Sequence, residues 1–290
     1  MTRYTNGGDE HLFVELSQEM SLQAFFAGSM MTAALRRAEI EGIIEICPAN
    51  ASFLVRFDPD RVSAADLQSQ IEQLEAGLDA SSGVIGTRIV EIPVLYDDPW
   101  TRETQARFRD RHQDPTSTDL GYAARVNGYG DEAAFIEAHS ATPWFVSMVG
   151  FVAGLPFMYQ MVERDQQLQV PKYLRPRTDT PKLTVGYGGC FTCIYSVRGA
   201  GGYQMFGVTP VPIYDPAERV KHLRDFMIFF RPGDIVKFRA IDRDEYDRIV
   251  TQVDQGQYQL HTRPVEFSIG AFEADPRSYA RALCEVLDVR

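Results

Sequence analysis

The sequence predicts an α+β protein in two parts, and three observations carry that reading. Strand-like and helix-like runs follow one another as β-α-β-β-α before residue 79. A stretch of small residues, 79–86, then marks a boundary. Beyond Lys182, glycines punctuate one short β-prone run after another, the pattern of a barrel or sandwich. At roughly 150 residues per domain, a chain of 290 residues has room for about two.

Residues 11–16 form a short β-rich run. Residues 21–41 combine helix formers with apolar positions at Leu22, Phe25, Phe26, Met30 and Leu35, which predicts a helix. Residues 43–46 and 52–57 read as two strands joined by the turn formers Pro48-Ala49-Asn50. Ser63-Ala64-Ala65-Asp66 fits a capping box, and Leu67, Ile71 and Leu74 line one face of the helix it starts. Closed by a strand near residues 88–95, this order is the split βαβ layout of a small ferredoxin-like domain, set at 1–86.

The second domain is set at 87–290. Residues 97–130 are polar, Arg-rich and aromatic, helical after Trp100 and looped around Asp114-Pro115. With a short helix at 131–139 they make a helical insert over about 97–140. The apolar stretch 144–159 is interrupted by Ser147, Gly150, Gly154 and Pro156, and is shorter than the roughly 20 residues of a membrane-spanning helix. Strands are expected at 183–185, 191–197, 203–208, 210–214, 226–230 and 235–241, with a tight turn at Arg231-Pro232-Gly233-Asp234. A C-terminal extension follows.

Apolar residues make up 44% of the chain and charged residues 24%, enough to build a core. The net charge of −11 argues against a nucleic-acid partner, because phosphate neutralisation needs clustered positive charge. Four cysteines are too few for a disulfide scaffold, and residues 1–10 lack the apolar core of a signal peptide. A cytoplasmic, non-membrane protein is the expectation.

Cys190-Phe191-Thr192-Cys193 has the spacing of redox and zinc sites. It falls in an expected strand, where positions three apart face opposite ways, and no second pair or His pair accompanies it; no metal is expected. His139 ends a helix pattern and suits either a proton shuttle or a structural hydrogen bond. No G-x-S-x-G elbow is present. Two glycine clusters, Val185-Gly186-Tyr187-Gly188-Gly189 and Gly199-Ala200-Gly201-Gly202, flank one strand. They are either two β turns or the backbone of a groove faced by Tyr203 and Gln204. No helix pattern follows them, so a dinucleotide loop is excluded. Lys172, Arg175, Arg177 and Lys182 form a basic stretch in this acidic chain, suited to attracting a carboxylated ligand.

These motifs carry a resemblance. Val90-Glu91-Ile92-Pro93-Val94-Leu95-Tyr96, Gly150-Phe151, Gly154-Leu155-Pro156-Phe157, Arg175-Pro176-Arg177, the two glycine clusters and Arg231-Pro232-Gly233-Asp234 occur in an order that resembles the allophanate hydrolase subunit 1 family. That family includes the B subunit of bacterial 5-oxoprolinase, the kinase inhibitor KipI and half of the urea carboxylase carboxyltransferase domain. The resemblance implies a cyclophilin-like β-barrel for the second domain. The 97–128 insert and the tail 244–267 look most like urea carboxylase, whereas His139-Ser140 and 150–157 look more like the oxoprolinase type.

By this resemblance the chain is expected to be the carboxyltransferase subunit of a biotin-dependent, urea carboxylase-like complex. It would pass a carboxyl group from carboxybiotin to the nitrogen of urea or a related small amide. The B subunit of an ATP-dependent 5-oxoprolinase and a KipI-like kinase inhibitor are the alternatives. Gln204 and Tyr203 would donate hydrogen bonds, His139 or Tyr195 would assist proton transfer, Arg177 would hold a carboxylate, and Gly188, Gly189, Gly201 and Gly202 would supply groove backbone. The sequence shows no biotinyl-lysine context and no ATP-binding glycine-rich region. Biotin on a separate carrier protein, ATP used by a partner subunit, a biotin carboxylase and an allophanate hydrolase subunit 2-type chain are therefore expected.

Overall fold

A computed structural model of the chain describes residues 2–78 and 83–288. The chain divides into two compact units: Met1–Ile85 with Glu266–Ala274, and Gly86–Val265 with Asp275–Arg290. Of the boundary expected at 79–86, residues 79–82 lie outside the described residues.

The first unit runs β1 (Arg3–Asn6), β2 (His11–Glu15), α1 (Leu22–Ala38), β3 (Ile43–Ala49), β4 (Ser52–Phe57) and α2 (Ala64–Ala76). Its sheet has the order β1-β2-β4-β3, antiparallel throughout. Both helices begin where a serine caps them: Ser21 Oγ accepts the Ala24 N–H at 3.1 Å, and Ser63 Oγ accepts that of Asp66 at 3.1 Å. Leu12, Val14, Phe53, Val55 and Phe57 pack on Leu35, Leu67 and Ile71. Phe267, from the late segment, stacks on Phe26 with ring centroids 4.9 Å apart.

The strand expected to close this sheet does not join it. β5 (Val84–Tyr96) belongs to the second sheet, and β1 takes the edge beside β2. Ile89, Val90, Ile92 and Val94 are all fully buried, so this strand needs cover on both faces, as an interior strand does. The sequence Arg3-Tyr4-Thr5-Asn6 is polar and mostly exposed, which suits an edge.

After β5 come α3 (Pro99–Arg107), α4 (Asp119–Val126), α5 (Glu132–Ala141), β6 (Pro143–Val149), β7 (Pro156–Gln160), β8 (Arg177–Thr180), β9 (Thr184–Gly188), β10 (Phe191–Ile194), β11 (Gly199–Gly201), β12 (Gln204–Val208) and β13 (Ile235–Ala240). The chain ends in α6 (Arg243–Asp254), β14 (Thr262–Ser268), α7 (Ile269–Ala274) and α8 (Pro276–Glu285). The sheet order is β12-β9-β10-β7-β6-β13-β5-β14, and β12 also pairs with β5, so it closes on itself. Closure uses Gly207↔Tyr96 and Val208↔Leu95. A Cβ at Gly207 would overlap the Leu95 carbonyl and stand 2.8 Å from Tyr96 Cα, so the seam requires glycine. Trp144, Tyr187, Phe206 and Phe238 fill the core.

The strands expected at 210–214 and 226–230 reduce to one bridge, Tyr214↔Ile228. Pro210 and Pro212 lack N–H donors. Asp215 then folds the following loop by accepting the N–H groups of Arg219 at 2.8 Å and Val220 at 3.0 Å.

Candidate functional site

A cavity of about 390 Å³ lies in the second unit, lined by residues that three local features bring together. The β6–β7 hairpin supplies Phe151, Leu155 and Phe157. The segment before β8 supplies Lys172 and Pro176. Strand β10 and the chain after it supply Cys193, Tyr195 and residues 200–203. These walls are largely carbon, and Lys172 brings a cationic side chain to them.

The glycine clusters act by making room for tyrosines. At Gly188 a Cβ would overlap the Tyr203 ring, and at Gly201 it would overlap the Tyr195 hydroxyl. Both rings therefore lie directly against backbone. Gly189, at φ 67°, makes the turn between β9 and β10. The Lys172 ammonium stands 5.2 Å from the centroid of Tyr203, a cation–π contact at the cavity wall. Phe157 meets the same ring edge-on at 6.1 Å. Phe151, 76% exposed, takes a left-handed φ of 69°, a strained conformation for an aromatic residue.

Burial pushes the Tyr195 and Tyr203 hydroxyls above their ordinary range, and for Tyr195 the nearby Arg177 charge opposes it. Burial likewise raises the Cys190 and Cys193 thiols, so neither is a poised thiolate. Cys190 stands in the turn before β10 rather than within the expected strand.

Tyr195, Gly201, Gly202 and Tyr203 thus meet at one cavity, with Gly188 beneath Tyr203. Gln204 does not face it, contrary to expectation. One residue along a strand reverses the side chain, and Gln204 is fully buried elsewhere. Its Oε1 lies 2.8 Å from His112 Nε2, and its Nε2 donates to the Pro171 carbonyl at 2.9 Å. His112 Nδ1 accepts the Asp114 N–H at 2.9 Å, so Nε2 is the donor to Gln204. Next to this pair, Asp119 accepts the Tyr173 hydroxyl at 2.7 Å and the Met205 N–H at 2.7 Å. Burial raises the Asp119 carboxyl, against these bonds and the charge of Arg177.

His139 is also away from the cavity. It is 0% exposed in the barrel core, with Nδ1 at 2.8 Å from the Tyr96 hydroxyl and Nε2 at 3.1 Å from Thr192 Oγ1. Burial lowers its pKa to about 3, so it is a neutral structural group. Arg177 lies behind the wall, 0% exposed, its guanidinium 4.4 Å above the Tyr173 ring.

Sequence reasoning missed Lys172 as a wall residue, along with His112, Asp119 and Tyr173. The basic stretch signalled the first. The network residues are far apart in sequence and carry no spacing motif. Among the described residues no cluster of three or more His, Cys, Asp or Glu could hold a metal ion, and no helix is long and apolar enough to cross a membrane.

The family described as carboxyltransferase domain, subdomain C and D, matches residues 2–224. The chain belongs to this family. Over 290 residues it is 24% identical to urea amidolyase of Lachancea kluyveri, covering 98% of this chain and 15% of that protein. Over 249 residues it is 28% identical to the B subunit of 5-oxoprolinase from Bacillus subtilis, covering 82% of this chain and 92% of that subunit. The solved structure of the K. lactis urea amidolyase shares the fold, with a TM-score of 0.85 at 22% identity over 100% of this chain and 18% of that one. The chain thus spans a small fraction of the urea amidolyases and nearly the whole length of the oxoprolinase subunit. It is a mixed α/β carboxyltransferase-domain chain related to both.

Proposed function

We propose that this chain is the carboxyltransferase subunit of a multi-component, biotin-dependent complex, passing a carboxyl group to the nitrogen of urea or a related small amide. The observation that carries the reading is the carbon-walled cavity of about 390 Å³ with one ammonium, Lys172, over Tyr203. This donor set fits a neutral ring whose oxygen gains negative charge as its substituent leaves. The size suits a small ligand, since such sites run from about 300 to 1,000 Å³.

Biotin on a separate carrier protein would supply the carboxyl group. Lys172 would stabilise the developing oxygen charge, which the proton lost by the acceptor nitrogen would neutralise on the released ring, and Leu155 and Phe157 would exclude water. Tyr203 would position the ammonium. Tyr195, holding its proton, could donate a hydrogen bond but not act as base. His139 and Gln204 would hold the scaffold. A biotin carboxylase that consumes ATP, the biotin carrier, a subunit 2-type chain and a cytoplasmic setting complete the reading.

The match to urea amidolyase runs through the C-terminal extension, which favours urea-type chemistry. The 92% coverage of the 5-oxoprolinase B subunit favours the second reading, a component of an ATP-dependent lactamase. The deciding experiment purifies the chain with its partners and measures carboxyl transfer to a panel of amides beside 5-oxoproline-dependent ATP hydrolysis. Amide-stimulated transfer supports the first reading. ATP hydrolysis driven by 5-oxoproline alone replaces it with the second.

A further inference from the structure

We infer that the cavity extends to a carboxylate-binding subsite at Arg177, closed in this conformation by Tyr195. The inference rests on the carboxyl-transfer reading of the same cavity and gives it a ligand class.

The Arg177 side chain is fully buried, yet its hydrogen bonds are incomplete. Nε and Nη2 share one acceptor, Thr180 Oγ1, at 3.3 Å each, the Tyr195 hydroxyl interacts with the same guanidinium, and Nη1 makes no hydrogen bond. A charged donor removed from water and left unpaired is strongly unfavourable, so an acceptor belongs there. The nearby charges point the same way. Asp119 is bonded to the Tyr173 hydroxyl, and the Tyr173 ring lies under Arg177. Asp119 also stands 3.5 Å from Arg109, whose Nη1 is likewise buried without a hydrogen bond. Arg109 and Arg177 thus both act on the single Asp119 carboxylate, which leaves Arg177 without a carboxylate partner of its own. A monoanion supplies one.

Access follows from the strand register. Gly201 is the partner of Arg177 across β11 and β8, and Gly201, Pro176 and Tyr195 all line the cavity. Arg177 therefore sits one residue behind the wall. The Tyr195 hydroxyl occupies the space that a side chain at 201 would fill. The Tyr195 ring is thus the side chain that would have to give way for a ligand to reach Arg177. A planar carboxylate matches the guanidinium fork in shape and charge. It is either the carboxyl group in transit or a carboxylate carried by the acceptor.

The test titrates the 290-residue chain with bicarbonate, with 5-oxoproline (a lactam bearing a carboxylate) and with 2-pyrrolidinone (the same ring without one), by calorimetry. The subsite requires that at least one carboxylate probe binds and loses tenfold or more in affinity in Arg177→Gln. It also requires that this probe binds more tightly in Tyr195→Ala, while 2-pyrrolidinone is indifferent to Arg177→Gln. Arg177-dependent bicarbonate binding identifies the group in transit; Arg177-dependent 5-oxoproline binding identifies the acceptor. Equal affinity in wild type and Arg177→Gln, or no binding by either carboxylate probe, overturns the subsite. Should Arg177→Gln not fold, unchanged affinity in Tyr195→Ala does so alone. Transfer in the complex without Arg177-dependent binding removes only the subsite; Arg177-dependent binding without transfer removes the carboxyl-transfer reading.

Discussion

Nε2 of His112 donates to Oε1 of Gln204 across 2.8 Å, with both side chains sealed from solvent. The bond ties the segment after α3 to the first residue of β12. Gln204 thereby fixes the wall strand from behind, and its neighbour Tyr203 alone reaches the cavity.

Gln204→Ala strands the His112 donor and the group that bonded Pro171. The expected cost is about 2 kcal/mol, which lowers Tm by about 4–8 °C in a unit of this size. Thermal unfolding checks it. Loss of transfer activity with an unchanged Tm would instead put Gln204 in contact with substrate.

Lys172 is exposed and makes its cation–π contact at the cavity wall, so its removal should spare the fold. Lys172→Gln is expected to lower kcat for carboxyl transfer by about a hundredfold, the lower end of the range for losing one charge-stabilising group. Steady-state kinetics of the complex, beside a Tm measurement, separates chemistry from folding.

The pKa of His139, lowered to about 3 by burial, links stability to pH. Its folded value lies below the unfolded value near 6.5, so the unfolded chain takes up the proton first. Stability is therefore lost as pH falls from about 6.5, by up to about 1.4 kcal/mol per unit until the folded value is reached. Asp179, lowered to about 2 by Arg198 and Arg107, acts only below about pH 4. His222 is lowered by burial and adds a slope of the same sign. Unfolding between pH 7 and 4.5 should show a shallower slope in His139→Gln than in wild type. Equal slopes would refute the assignment.

Gly207→Ala and Gly199→Ala should differ sharply. The first places a Cβ on the Leu95 carbonyl at the barrel seam, whereas nothing lies within 4 Å of a Cβ at 199. Overlap with backbone cannot be relieved by a rotamer change, so about 3 kcal/mol or more is expected at 207 and within about 0.5 kcal/mol at 199. Denaturant titration compares them.

Local signals carry most of the first unit. Ser63 caps the helix that its box predicts, Ser21 opens the other, and Pro48-Ala49-Asn50 leads into the turn, where Asn50 takes φ 48°. A polar edge strand such as β1 has no periodic signature, which is why the sequence alone puts β5 in its place. The glycine clusters lie against the tyrosines of the cavity wall, and glycine beside an aromatic residue leaves a trace in sequence. Which way Gln204 points depends on a register of one residue, and the Asp119–Tyr173–Arg177 group assembles only through tertiary pairing. Neither leaves a local pattern.

The stacking of Phe267 on Phe26 bears on how the polypeptide can be divided. Because Glu266–Ala274 belongs with Met1–Ile85, a fragment ending at residue 85 would expose a bare phenylalanine face. Such a truncation should be sticky and poorly folded. Supplying the missing nine residues through a linker fused to its C-terminus is the natural remedy.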